Sequence, residues 1–152
     1  MPKYRLNPLL LLSLFSASAL AEPVKGLVDG QLAPCPDKPN CISTEKGSLS
    51  PIAFGNTNPK KAWEMLQESI IELNGKIESK QDNYLWASFT TPMLKFTDDV
   101  EARLDLTNKV IQLRSASRTG YYDFNANKNR LNLLINRVNR KLNPGSLKNI
   151  HE

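Results

Sequence analysis

Histidine is nearly missing from this chain: the only one is His151, beside the last residue. A serine or cysteine triad that relies on imidazole therefore has no base inside the folded part, and histidine-ligated zinc, copper or iron sites are unsupported. There is no glycine-rich phosphate loop and no dinucleotide fingerprint. Cysteine is limited to Cys35 and Cys41, too few for an all-sulfur metal site and too far apart for a two-residue redox motif. After residue 21 no run is long or apolar enough to span a bilayer. Charge of one sign is also in short supply: 20 Lys and Arg stand against 15 Asp and Glu. So small an excess does not argue for nucleic acid, although it permits weak attraction to anionic lipid or glycan surfaces. The residues call for no cofactor and no metal, and a hydrolase built from them would have to run on carboxylates.

What is present begins with a leader. Lys3 and Arg5 precede an apolar run from Pro8 to Phe15, followed by Ser16-Ala17-Ser18-Ala19-Leu20-Ala21. A basic region, a short hydrophobic region and a small-x-small site in that order predict a signal peptide over residues 1–21 cut after Ala21, with export to the bacterial periplasm. A retained membrane anchor is the alternative, but a spanning helix needs about 20 apolar residues and this run is nearer half that. Cleavage leaves 131 residues and a net charge of +3, since Lys3 and Arg5 are lost from the 20 basic residues and no acid is. That length makes one domain able to bury roughly two-thirds of its unfolded surface. In an oxidising compartment the two cysteines are expected to pair, Cys35 with Cys41. The bridge would hold a Pro- and Gly-rich arm, residues 22–56, in one shape.

A core domain is expected over residues 57–143. Asn58 can cap a helix that Pro59 opens, with Ala62, Trp63, Leu66, Ile70 and Leu73 on its buried face and Gly75 as its stop. Strands are expected at residues 76–80 and 84–91 around the turn Gln81-Asp82-Asn83. Residues 98–106 alternate strictly, with Val100, Ala102, Leu104 and Leu106 facing one way and Asp99, Glu101, Arg103 and Asp105 the other. A two-residue turn at Asn108-Lys109 would pair Leu106 with Ile111, Leu104 with Leu113, Arg103 with Arg114 and Asp99 with Arg118, leaving Arg114 diagonal to Glu101 and Asp105. A second helix carries the stripe Leu131, Leu134, Ile135, Val138 and Leu142; Asp123 or Asn125 can cap it, and the basic residues near its end suit the helix dipole. Residues 144–152 read as a flexible polar tail. The expected fold is α+β: an antiparallel sheet of about four strands, two helices on one face, and the irregular disulfide-pinned arm over part of the rest.

Three motifs bear on function. Leu32-Ala33-Pro34-Cys35-Pro36-Asp37-Lys38-Pro39-Asn40-Cys41-Ile42-Ser43 enters the domain. Phe96-Thr97-Asp98-Asp99-Val100-Glu101 opens one central strand. Arg114-Ser115-Ala116-Ser117-Arg118-Thr119-Gly120-Tyr121-Tyr122-Asp123, with Asn127 and Arg130 beyond it, closes the next. With these the chain resembles the domain-of-unknown-function family 1499 over residues 32 to 142, nearly the whole mature chain. The resemblance implies exported or membrane-associated bacterial proteins and some plastid proteins, and implies no established activity. One departure is Asn125, where the family usually has glycine before the last helix; asparagine tolerates the left-handed backbone nearly as well.

Arg103, Arg114 and Arg118, with Ser117 and Tyr121, are the candidate ligand-binding residues, because guanidiniums beside a hydroxyl and an aromatic ring suit a phosphate, a carboxylate or a sugar. Asp99, Glu101 and Asp105 lie on the same face and read as structural ion pairs, since neighbouring arginines lower a carboxylate's pKa. No residue is assigned as catalytic. The expected function is a non-catalytic exported module that binds an anionic small molecule, a lipid headgroup or another envelope component through the arginine-rich sheet face. The alternatives are a hydrolase or transferase using Asp99 and Glu101, which requires a concave pocket and a raised carboxyl pKa, and an envelope scaffold, which requires an exposed apolar patch.

Overall fold

A computed structural model of the protein describes residues 25–145. The expected leader, residues 1–21, and residues 146–152 of the expected tail lie outside that range. In chain order the elements are β1 (Leu27–Val28), β2 (Gln31–Leu32), β3 (Cys41–Ser43), β4 (Ile52–Ala53), α1 (Pro59–Glu72), β5 (Lys76–Lys80), β6 (Tyr84–Thr90), β7 (Thr97–Asp105), β8 (Val110–Ser117) and α2 (Ala126–Leu142).

The first helix starts as its sequence dictates. The Asn58 side chain accepts from the backbone N–H groups of Lys60 and Lys61, and Pro59 occupies the first turn, where no N–H is needed. Its end divides two tasks between neighbours. Asn74, at φ 63°, takes the left-handed position, and the Gly75 N–H closes the turn on the Ile70 carbonyl at 2.8 Å. Gly75 is needed for room: a Cβ there would stand 2.5 Å from the Phe89 ring and 2.7 Å from Ile70.

The sheet is antiparallel throughout and has six strands where about four were expected: β5, β6, β7 and β8 follow in order, and β3 and β4 both pair with β8 on its outer edge. The two extra strands come from the arm. Each is too short to show a period in sequence, and the flanking prolines and glycines mask them, yet Ile42 and Ile52 bring apolar side chains to the core. Another arm segment folds back as the β1–β2 hairpin, which packs on β7 and β8.

The central hairpin also differs from its expected register. Glu101 faces Arg114, Arg103 faces Gln112 and Leu104 faces Ile111, so the pairing is shifted by two residues and the connection, residues 106–109, has four residues where two were expected. The reason lies in Asp105. Its carboxylate accepts from the Asn108 backbone and side-chain N–H groups, each at 3.0 Å, and Lys109 takes the left-handed position at φ 53°. A shift of two preserves the faces, so the inward and outward residues stay as expected, but Leu106 leaves the core and is 61% exposed.

Both helices cover one face, burying Leu66, Ile70, Leu131, Leu134 and Val138 against Leu85, Val100, Ala102, Ile111 and Leu113. They are also tied to each other. Arg137 pairs with Glu72, and Lys141 with Glu68 and Glu72, so two of the basic residues near the end of α2 serve the helix pair and not only the dipole. Cys35 and Cys41 form a disulfide.

Candidate functional site

Strand alternation sorts the motif residues onto two faces of β7 and β8. Asp99, Glu101, Arg103, Asp105, Arg114 and Arg118 share the face turned away from the helices; Asp98, Ser115 and Ser117 share the helix face.

The first face is closed by the arm. Glu101 lies at its centre: one oxygen pairs with Arg114, and the other accepts from the Tyr84 hydroxyl at 2.7 Å and from the backbone N–H of Gly26 at 2.6 Å. Glu101 is 0% exposed and Arg114 1%. Burial and then the Glu101 carboxylate push the Tyr84 phenol far above its ordinary range, so it acts as a fixed donor. Arg114 Nε has no partner among the described residues.

Asp99 holds a second cluster, accepting from Trp86 Nε1 at 2.7 Å, from Arg118 Nη2 at 2.9 Å and from Lys25 Nζ at 3.3 Å. Burial opposes its charge, but the hydrogen bonds from Arg118 and Trp86 and the nearby Lys25 outweigh that, and its pKa is lowered. Lys25 also stands 4.6 Å from the centre of the Trp86 ring. A third cluster joins Arg103 to Glu45 of the arm and to Asp105 at 3.1 Å, while Glu45 accepts the Leu32 N–H at 2.7 Å. Burial works against the Arg103 charge, and Glu45 and Asp105 overcome it, raising its pKa. Each cluster thus includes an arm group: Lys25, Gly26 or Glu45.

The helix face carries a second set of fastenings. Arg130 Nη2 donates to Asp98 at 2.7 Å and Nη1 to Asn127 Oδ1 at 3.0 Å. Ser115 donates to the same Asn127 oxygen at 2.5 Å, and Asn127 Nδ2 reaches Ser117, Asp123 and the Asn40 carbonyl. Asn40 in turn donates to the Gly120 carbonyl at 2.7 Å. Asp123 caps α2 through the N–H groups of Asn125 and Asn127, and Asn125 is left-handed at φ 65°, as expected of a residue standing in for glycine.

The five candidate ligand residues are not brought together. Arg103, Arg114 and Arg118 line one face, each bound to a carboxylate; Ser117 is on the other face against Asn127; Tyr121 stands in a loop, 67% exposed. Nor do Asp99 and Glu101 open into the cleft of about 620 Å³ between the hairpin and the disulfide segment, which is lined by Val28, Leu32, Ile42, Glu45 and Lys46 among others. Among the described residues no three His, Cys, Asp or Glu side chains gather as a metal-binding group.

A different feature lies at one end of the sheet. Residues 91–96 join β6 to β7, and residues 118–125 lead from β8 to α2; the Arg118 N–H donates to the Thr97 carbonyl at 3.2 Å, so both loops leave from the same end of the sheet. They expose Met93 (92%), Leu94, Phe96, Tyr121, Tyr122 and Phe124 (83%). Phe124 is held left-handed at φ 53°, with its ring edge-on to Tyr122 at 5.1 Å between centroids. A groove of about 430 Å³, lined by Phe89, Pro92, Arg130 and Leu133, adjoins them. Of the exposed loop residues only Tyr121 was a candidate from the sequence; Met93, Leu94 and Phe124 were not. The available signal was the run Met93-Leu94-Lys95-Phe96, apolar where a turn should be polar.

Fold and polar layers together define a small α+β protein whose N-terminal arm is fastened to both faces of an antiparallel sheet. The chain belongs to the family described as Protein of unknown function (DUF1499), which matches residues 31–138. No curated protein matches it. No described helix is long and apolar enough to cross a membrane.

Proposed function

We propose that this is a non-catalytic exported protein of the bacterial periplasm that docks on a component of the cell envelope through its loop end, and that the arginine-rich sheet face is its internal fastening. One observation carries the reading: six large apolar side chains stand exposed on two loops that leave the same end of the sheet. Scattered exposed apolar residues are ordinary, but a gathered set marks a contact surface. The charged face argues the other way. A small anion bound by Arg103, Arg114 and Arg118 would have to displace Glu45, Glu101 and Asp99, of which Glu101 is fully buried with three donors upon it. Leaving a buried carboxylate unpaired costs more than an exposed ligand contact returns. The lowered pKa of Asp99 also works against a general acid there.

The test is sedimentation of the purified mature protein with washed envelopes of its native cells, with folding checked by circular dichroism. Wild type and Arg118→Gln are expected to sediment with the envelopes and Phe96→Ser/Phe124→Ser to remain in solution. Equal sedimentation of the double variant, or selective loss in a folded Arg118→Gln, would overturn the proposal.

A further inference from the structure

We infer that the partner of the loop end is an anionic phospholipid surface, an inference that rests on the docking reading above. The apolar side chains are presented on two loops at one extremity, a form suited to insertion between headgroups, and phenolic and phenyl rings are the side chains favoured at that depth. Charge gives the sign of the surface. Residues 91–96 and 119–133 contain Lys95, Lys128 and Arg130 against a single acid, Asp123. Asp123 is turned inward, with its oxygens occupied by the N–H groups of Asn125 and Asn127 and by the Asn127 side chain. Arg130 is paired with Asp98, which leaves the ammonium groups of Lys95 and Lys128, both exposed, as the charges flanking the aromatic tip. An apolar tip between lysines complements an anionic interface, where apolar insertion and charge attraction add. The adjoining groove beside Pro92 and Leu133 continues the apolar surface toward the helices. The backbone adds a further sign that the tip is held in place: Phe124 keeps its ring outward in a left-handed conformation that an L-residue adopts only at a cost.

The experiment is co-sedimentation of the mature protein with vesicles of phosphatidylglycerol and phosphatidylcholine in equal amounts, with vesicles of phosphatidylcholine alone, and with native envelopes. Wild type is expected to bind the anionic vesicles about tenfold or more tightly than the neutral ones, with the preference shrinking at high salt. Lys95→Glu/Lys128→Glu is expected to abolish the preference. Met93→Ser/Phe96→Ser/Phe124→Ser is expected to weaken anionic-vesicle binding by roughly tenfold or more. Envelope binding that needs the loop end while neither vesicle binds would mean a protein partner: the lipid inference then fails and the docking reading stands. Equal binding to both vesicles overturns the charge argument and with it the inference. Envelope binding indifferent to the loop substitutions overturns both.

Discussion

Glu101→Ala removes the carboxylate on which three donors converge: Arg114, the Tyr84 hydroxyl and the Gly26 N–H. Arg114 is then a buried guanidinium with no counter-charge, because the other acids of that face, Asp99 and Asp105, are already engaged by Arg118 and Arg103. Breaking one side of a buried ion pair typically costs about 3–5 kcal/mol. Against a total stability of about 5–15 kcal/mol this is severe, and in a domain of this size it corresponds to a fall in Tm of roughly 10–20 °C. The measurement is urea unfolding of the purified protein followed by circular dichroism. Hydrogen exchange at the Gly26 amide reports separately on release of the arm, and it should speed up at denaturant concentrations too low to unfold the sheet. A Glu101→Leu/Arg114→Met double variant removes both charges and is expected to be more stable than Glu101→Ala. A loss under about 1 kcal/mol for Glu101→Ala would refute the reasoning, since it would place the pair among solvent-screened ones.

Further outcomes follow from other sites. Asp99 is held below its unfolded value, so its stabilisation is fully present above the unfolded pKa of about 3.9 and is lost as the pH falls through the folded value; urea midpoints of Asp99→Asn should therefore depend less on pH in that acid window than those of wild type. Gly75→Ala should destabilise by about 1–3 kcal/mol in the same assay, because the new methyl meets Phe89 and Ile70, whereas Asn74→Gly should be near neutral. Replacing both Cys35 and Cys41 by serine should cost about 2 kcal/mol, the modest value of a short loop. Phe124→Gly should raise the unfolding midpoint by about 1 kcal/mol of stability while weakening envelope sedimentation, a divergence that a purely structural Phe124 would not give.

Much of the architecture was legible in local chemistry. The cap at Asn58, the period of both helices and the alternation of β7 state which side of each element is buried, and the left-handed Asn125 follows from side-chain tolerance. The register of β7 and β8 was not legible, because two even-numbered alternatives put the same residues on the same face; the choice fell to the Asp105–Asn108 hydrogen bonds. The edge strands β3 and β4 are three and two residues long, below the length at which a period can be read. The larger gap concerns the charged face. Alternation marks Asp99, Glu101 and Arg114 as sharing a side, but that pattern is the same whether the side meets water, a ligand or another part of the chain. Only the path of residues 25–45 decides it, and that path depends on contacts about 75 residues apart in sequence, such as Gly26 with Glu101. The exposed loop end was not legible because residues 91–96 and 118–125 are irregular connections, with no period to show whether Met93, Leu94, Phe96 and Phe124 face the core or the solvent.

The most direct test of the central claim is hydrogen–deuterium exchange on the mature protein with and without native envelopes. The account predicts that envelope binding slows exchange in residues 91–96 and 118–125 and leaves the already protected β7 and β8 amides and residues 25–45 unchanged. Protection confined to residues 25–45 and the charged face of β7 and β8, with the loops unaffected, would contradict it.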